Sequence, residues 1–187
     1  MKIIFLDVDG VLNGYNFWNQ LGWRLVCLTN SQRLKGWYRN VSEPFGIHTP
    51  KFKRFAKIVR KTGAKVVISS CWKRRLMETP ANEMNKHEIK FWYLCNKYNI
   101  DVCGITPYSN NLKNRRQDEI LTWLLKHQDV DKFVILDDER YDLEEFVGKG
   151  LIQTSSVKKN EFIMGHWQED TGLKNKHVRQ AIKILNG

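Results

Sequence analysis

The stretch that decides the fold is MKIIFLDVDGVLN, residues 1–13. Its apolar run from Ile3 to Leu6 is too short for a membrane span or a signal sequence and has the length of a buried strand. Asp7 and Asp9 follow, and side chains two positions apart leave a strand on the same side. Such close carboxylates repel each other unless a cation or a shared proton relieves them. The stretch therefore predicts a strand that ends in a Mg²⁺ site, because Mg²⁺ prefers oxygen ligands.

The composition is that of one basic domain covering residues 1–187. Lys and Arg number 31 against 20 Asp and Glu, a net charge of +11, which favours a polyanionic partner such as nucleic acid. The four cysteines form no C-x-x-C pair, so we expect no zinc site but reduced thiols in an intracellular, cytoplasmic protein. No stretch suggests a membrane segment, and we expect no membrane partner.

Residues 13–48 hold most of the unusual side chains, and we interpret them as a flap inserted after the first strand. Aromatic side chains mixed with bases can stack on nucleobases while the cations meet phosphates. A small satellite core would use the same aromatics, and the sequence leaves both interpretations open. The residues predicted to contact nucleic acid, four in the flap and two further on, are Trp18, Arg33, Lys35, Arg39, Lys73 and Arg74.

A helix is predicted between Thr49 and Gly63, with Thr49 as its N-cap, Pro50 as its first residue and Gly63 as its end. Apolar residues at helical spacing form its inner face. Its other face is expected to carry six bases and no acid, which favours a polyanion contact only modestly. These bases are Lys51, Lys53, Arg54, Lys57, Arg60 and Lys61.

A second buried strand, residues 65–68, runs directly into Ser69 and Ser70. Residues 85–98 follow as a helix, and we expect its inward side chains to be Ile89, Trp92, Tyr93 and Leu94.

A third strand, residues 100–105, precedes a basic loop that contains Lys113 and Arg116 and then a helix. A fourth strand, residues 133–136, ends in the adjacent acids Asp137 and Asp138. Residues 151–153 and 177–185 are predicted as an outer strand and a closing amphipathic helix. Two acidic strand ends, with a Ser-ending strand and a basic loop between them, indicate one shared site.

The segment DVDGVL, residues 7–12, resembles the first motif of the haloacid dehalogenase (HAD) superfamily of phosphotransferases. The chain looks closest to a HAD subgroup found in RNA-repair proteins. That subgroup has four signatures in a fixed order, which are Ser-Ser-x-Trp, Gly-x-Thr-Pro, a base before Glu-Ile-x-x-Trp-Leu, and Leu-Asp-Asp. In this chain the four signatures occur in the same order at residues 69–72, 104–107, 116–124 and 136–138. The phosphatase half of phage-type polynucleotide kinase-phosphatase is a more distant likeness. Such end-healing enzymes often have an Arg where this chain has Cys71.

The resemblance implies an α/β fold, a HAD-like Rossmannoid three-layer sandwich with a central, mainly parallel sheet. The segments after the first and second strands leave room for the small flap at residues 13–48 but not for a large cap domain. An open site of this kind suits the end of a nucleic acid strand better than a small metabolite.

The resemblance also implies roles for the residues at the strand ends. Asp7 would be the nucleophile, and Asp9 would act as the general acid and base. Mg²⁺ would be held by Asp7, the Asp9 carbonyl, and Asp137 or Asp138, with Asp142 acting through water. Ser69, or Ser70 in its place, would bind the phosphoryl oxygens together with a base, either Lys113 or Arg116. The spacing to Asp137 does not decide between these two bases.

The function predicted from the sequence is that of a Mg²⁺-dependent polynucleotide phosphatase that acts at 3′ ends through an aspartyl-phosphate. One alternative is a phosphatase of nucleotides or other small phosphate esters. Another is a non-catalytic module on a HAD scaffold that binds nucleic acid or protein. The choice between RNA and DNA, a partner kinase or ligase, and the oligomeric state stay open.

Overall fold

The computed structural model describes residues 1–13, 28–29, 31–32, 46–110, 115–154 and 171–187. Along these ranges, five strands alternate with helices. The strands are β1 (Lys2–Leu6), β2 (Lys65–Ile68), β3 (Val102–Ile105), β4 (Lys132–Asp137) and β5 (Leu151–Gln153). The helices are α1 (Thr49–Thr62), α2 (Lys73–Glu78), α3 (Lys86–Lys97), α4 (Arg115–Lys126) and α5 (Asn175–Asn186), with short 3₁₀ turns at Ala81–Glu83 and Glu144–Phe146.

The strands form one sheet in the order β3-β2-β1-β4-β5, and every pair is parallel. From β1 the chain builds outward through β2 to β3, then returns to the other side of β1 to add β4 and β5. The order therefore reverses between β1 and β4. In open α/β sheets, ligands bind outside the carboxyl ends of the strands at such a switch point.

Alternate strand residues supply two separate cores, one on each face of the sheet. Ile4 and Leu6 of β1 face a core shared with α1, α2, α3 and α5. Ile3 and Phe5 face the other core, under α4, where the Phe5 and Trp123 rings meet edge to face at 5.4 Å. The predicted three-layer α/β sandwich is thus confirmed, and the residues that the structure describes contain no cap domain.

Helix α1 begins one residue earlier than the sequence indicates. Its N-cap is His48, whose carbonyl accepts the first intrahelical bond from Phe52 N–H at 2.9 Å, so Thr49 is already helical. Pro50 lies in the first turn, where its missing N–H costs nothing. Gly63 ends the helix as predicted, in the left-handed conformation that glycine adopts readily (φ 66°).

The prediction of which residues form the inward face of α3 is partly wrong. Ile89 and Tyr93 are exposed, while Phe91 and Leu94 are buried. Glu88 also lies on the buried face, because its carboxylate accepts hydrogen bonds from the backbone and side chain of the N-cap Asn85. A buried acid with such partners is not distinguishable in sequence from an exposed one.

Among the helices of the described ranges, none is long and apolar enough to cross a membrane.

Candidate functional site

The register of the sheet brings Asp7, Ser69 and Asp137 together at the carboxyl end of three adjacent strands. Leu6, the last residue of β1, pairs with Leu136 of β4, so the residues that follow each of them, Asp7 and Asp137, are neighbours. Asp7 N–H donates to the Leu136 carbonyl at 2.9 Å, and Ser69 N–H donates to the Leu6 carbonyl at 2.9 Å. The central strand thus places Asp7 between a serine and a second acid.

Three carboxylates converge at this point. Asp7, Asp137 and Asp138 each offer an oxygen within 4.8 Å of the others, a spacing that a single metal ion can bridge. Asp7 and Asp137 are almost wholly buried. Asp138 lies against Gly10, where an added Cβ would be 2.1 Å from the Asp138 Cγ. The glycine of the first motif is therefore required by this close approach as well as by its positive φ of 66°.

Arg116, in the first turn of α4, is the cation that meets these acids. Its Nη1 lies 3.2 Å from Asp7 Oδ2 and 2.8 Å from Asp137 Oδ2, and it donates to the Ser69 carbonyl at 2.7 Å. Burial opposes the charge on this guanidinium, but the two carboxylates outweigh burial and raise its pKa above the usual range. Of the two predicted bases, Arg116 contacts the cluster, whereas Lys113 lies outside the described residues.

One guanidinium does not balance three carboxylates. Burial raises the pKa of Asp7, and the Arg116 charge opposes that rise. Burial and then the Asp7 charge raise the pKa of Asp137 well above its ordinary value and that of Asp138 to about 6. The site therefore holds more negative charge than its surroundings stabilise. Hard carboxylate oxygens with excess negative charge fit a divalent cation such as Mg²⁺.

The two serines after β2 differ in their hydrogen bonding. The Ser69 hydroxyl is buried and has no hydrogen-bond partner among the described residues. The Ser70 hydroxyl is near Asp7 and two backbone N–H groups, those of Val8 at 3.4 Å and Trp72 at 3.3 Å. A buried hydroxyl without a partner costs free energy, so Ser69 is the group with unused capacity to bind an added anion.

The Asp9 carboxylate is held apart from the three-acid cluster by donors that the sequence reasoning missed. It accepts a hydrogen bond from Asn13 Nδ2 at 2.6 Å and another from Trp72 Nε1 at 2.9 Å. Cys71 Sγ lies 3.3 Å from it, and burial followed by the hydrogen bond to Asp9 raises the pKa of this thiol to about 11. The Trp of the Ser-Ser-x-Trp signature was the sequence signal for this contact. The predicted role of the Asp9 carbonyl as a metal ligand stays a prediction.

The expectation that Lys73 contacts nucleic acid is wrong. Its ammonium lies 2.7 Å from the Glu119 carboxylate, with both side chains almost fully buried. It also approaches Thr106 Oγ1 at 3.3 Å and the Pro107 carbonyl at 3.0 Å. Burial lowers the pKa of Lys73, and Glu119 opposes that shift. This buried network gives the Gly-x-Thr-Pro and Glu-Ile-x-x-Trp-Leu signatures a structural role, since they supply Thr106, Pro107 and Glu119.

The other predicted site residues are placed as follows. Arg74 is exposed and 3.5 Å from Glu78 one helical turn on, and its contact with nucleic acid stays a prediction. Asp142 is not in the three-acid cluster, because its Oδ2 faces the backbone N–H of Arg116 at 3.4 Å, at the start of α4. The flap residues expected to contact nucleic acid, Trp18, Arg33, Lys35 and Arg39, lie outside the described residues.

Comparisons with known proteins agree with this geometry. The family model for the HAD domain in Swiss Army Knife RNA repair proteins matches residues 3–158, which is most of the chain. The matched range runs from the second residue of β1 to beyond β5 and includes every residue of the site described above. A comparison with curated proteins finds no match. The chain belongs to the HAD domain family of Swiss Army Knife RNA repair proteins.

Proposed function

We propose that the chain is a Mg²⁺-dependent phosphatase that removes terminal 3′ phosphates from nucleic acid through an aspartyl-phosphate on Asp7. The observation that carries this proposal is the convergence of Asp7, Asp137 and Asp138 around one guanidinium at the switch point of the sheet. Membership of a HAD family of RNA repair proteins supports phosphate-ester chemistry and nucleic acid ends as substrates.

The residues present fit a magnesium ion. Asp7, Asp137 and Asp138 would hold it, together with the Asp9 carbonyl. When bound, the ion neutralises the charge that otherwise keeps an anionic nucleophile away from an anionic phosphate. Asp7 is already oriented without it, because its Oδ1 accepts the Val8 N–H at 2.8 Å.

The Asp7 carboxylate attacks phosphorus, so that a bond forms between a carboxylate oxygen and phosphorus while the bond to the ester oxygen breaks. Two easier displacements thereby replace one difficult one. Asp9 gives its proton to the departing oxygen. Water then attacks the aspartyl-phosphate, Asp9 takes the proton from that water, and inorganic phosphate leaves.

In the proposed mechanism two groups stabilise the transferring phosphoryl group. Arg116 reaches the Asp7 carboxylate from the N-terminal turn of α4, where a fixed cation and the helix dipole act together on an anion. The Ser69 hydroxyl lacks a partner in the described part of the chain and would gain one from a phosphoryl oxygen. Such preorganised donors act where charge develops in the transition state.

The acid-base residue is held by the Trp72 indole and the Asn13 amide. These two donors keep Asp9 clear of the three-acid cluster. In this position it is available to the leaving group rather than to the metal. We therefore assign Trp72 and Asn13 as positioning residues for proton transfer.

Phosphate release from a 3′-phosphorylated oligoribonucleotide tests the proposal, with a nucleoside 3′-monophosphate and a 5′-phosphorylated oligonucleotide as comparison substrates. We expect the 3′-phosphorylated strand to be preferred and EDTA to abolish release. Equal turnover of the mononucleotide would support the small-ester alternative. Release unaffected by EDTA and by Asp7→Asn would contradict the proposed mechanism.

A further inference from the structure

Two neighbouring helices of the described part of the protein carry exposed bases and no acid. Helices α1 and α5 pack side by side on the same face of the sheet, and neither contains an acidic residue. We call their exposed bases the basic face. These are Lys53, Lys57, Arg60 and Lys61 of α1, and Lys176, Arg179 and Lys183 of α5.

These charges are not neutralised within the described part of the protein. No carboxylate there forms an ion pair with any base of the basic face. Some exposed bases elsewhere are paired, as Lys65 is with Asp101 at 3.3 Å and Arg140 with Glu144 at 3.1 Å. Because like charges on a folded surface repel each other, an unbalanced group of this size is better satisfied by an external polyanion.

The remaining bases of α1 serve the fold. Lys51, expected on the outer face, is buried, and its ammonium donates to the Asn13 carbonyl at 3.3 Å. Arg54 donates to the Leu173 carbonyl at 3.1 Å. These two residues tie α1 to the loop that follows β1 and to the segment that leads into α5.

The basic face begins beside the candidate site. His48 N–H, at the start of α1, donates to the Leu12 carbonyl at 2.9 Å, and Leu173 N–H, just before α5, donates to the Val11 carbonyl at 3.0 Å. Both carbonyls belong to the loop that carries Asp9 and Gly10. From there α1 runs away from the site for 14 residues, or about 21 Å. That length matches about six phosphates of a helical nucleic acid strand.

We propose that the basic face binds the phosphate backbone of the RNA whose 3′ end occupies the site. The proposal rests on the proposed function for its choice of substrate. The apolar residues of both helices, such as Phe52, Phe55, Val178 and Leu185, are buried. The basic face thus has no exposed large apolar side chain of α1 or α5 to insert into a bilayer, so charge complementarity favours nucleic acid over a membrane surface.

The test compares two variants with the same change in charge. The first is Lys57→Gln/Arg60→Gln/Arg179→Gln on the basic face. The matched control is Lys97→Gln/Lys126→Gln/Lys149→Gln, at exposed positions elsewhere. RNA binding is measured by fluorescence anisotropy with a 3′-phosphorylated strand of about ten nucleotides, which is longer than the basic face. Hydrolysis of an aryl phosphate reports the chemistry separately.

We expect the first variant to weaken RNA binding at least about tenfold and to reduce the slope of log Kd against log salt by about 2 to 3, as the loss of three phosphate contacts requires. Aryl phosphate hydrolysis should not change, and the control should bind like wild type. Equal losses in both variants, or no loss in either, would overturn the proposal. So would binding to phosphatidylserine vesicles that RNA does not compete away.

Failure of this inference is distinguishable from failure of the proposed function. Wild-type protein that binds RNA through the basic face but releases no phosphate from any ester would contradict the phosphatase assignment alone. Protein that removes 3′ phosphates with unchanged efficiency after loss of the three bases would contradict the basic face alone.

Discussion

Two buried basic side chains lie at the same end of the sheet and have different surroundings. Lys73 faces one acid, Glu119, and also contacts a hydroxyl oxygen, a carbonyl oxygen and the Tyr108 ring. Arg116 faces Asp7 and Asp137, and Asp138 lies within reach of both acids. The first cluster is balanced and closed, whereas the second keeps an excess of negative charge. Burial alone does not mark a functional cation, and it is the unbalanced set of partners that favours the role proposed for Arg116.

The largest expected effect is at the unbalanced cluster. Asp7→Asn should lower phosphatase kcat at least about 10³-fold, because the amide cannot act as the nucleophile. The same substitution should raise the melting temperature of metal-free protein, since ionised Asp7 is disfavoured by burial. Steady-state kinetics and thermal unfolding in EDTA provide the measurements. Asp101→Asn, an exposed acid paired with Lys65, is the matched control and should change neither strongly.

At the balanced cluster the expected effect is on stability. Lys73→Met should reduce the free energy of unfolding by about 3–5 kcal/mol, because it leaves the Glu119 carboxylate buried without its cation. Urea unfolding measures this loss, and Lys73→Met/Glu119→Leu should recover most of it. A single variant as stable as wild type would remove the contrast between the two clusters.

A conservative change at the other cation should affect activity. Arg116→Lys keeps the charge but loses the planar group that meets Asp7, Asp137 and the Ser69 carbonyl together. We expect kcat/KM to fall about 10²-fold, the loss typical of one donor to a developing anion. The same assay on Arg115→Lys, an exposed neighbour, should give wild-type values. Full activity of Arg116→Lys would show that position 116 needs only a positive charge.

Trp72 should contribute less, through Asp9. Trp72→Phe removes the Nε1 donor and keeps a ring, so we expect kcat to fall about tenfold, as for one hydrogen bond to a charged group. If Trp72 positions Asp9, one limb of the pH-rate profile of Trp72→Phe should also shift relative to wild type, without a matching change in KM. Trp92→Phe is the control, because its indole donates to the Leu76 carbonyl instead. Identical pH profiles for Trp72→Phe and wild type would contradict the positioning role.

The last expected effect is a pH dependence of stability at Asp138. Burial and Asp7 raise the pKa of this carboxyl to about 6 from an ordinary value of 3.8. A raised pKa in the folded state adds stability below about pH 3.8, and this contribution is lost as the pH rises through about 6. Asp138→Asn should therefore gain stability over metal-free wild type between pH 4 and pH 7. A difference in the free energy of unfolding between Asp138→Asn and wild type that stays constant across that pH range would contradict the assignment.

The sequence predicts the sheet and its acidic edge because both are local properties. Apolar runs such as Ile3 to Leu6 form strands, and the acids that matter lie at the strand ends, with Asp7 directly after β1 and Asp137 as the last residue of β4. Parallel strands end at a common edge, and Asp7 and Asp137 meet there because β1 and β4 are adjacent in the sheet. Local sequence does not decide between Lys113 and Arg116 as the base of the site. That decision depends on which side chain the fold directs toward Asp7.

The errors have the same origin. Lys73 has the same residue type as a surface lysine, and its partner Glu119 is distant in sequence. Ile89 and Tyr93 were assigned to the interior because they are apolar or aromatic, yet Glu88 occupies the buried face with hydrogen bonds to Asn85. In both cases a hydrogen-bonding or ionic partner keeps a polar side chain buried, Glu119 for Lys73 and Asn85 for Glu88. Neither composition nor periodicity contains that information.

The central claim is that Asp7, Asp137 and Asp138 bind one divalent cation. Anomalous diffraction from crystals grown with Mn²⁺, a scattering substitute for Mg²⁺, tests it directly. We predict a single strong peak coordinated by oxygens of all three carboxylates, absent in Asp137→Asn crystals. A fully ordered site with no peak there, or with the metal bound only elsewhere, would contradict the account.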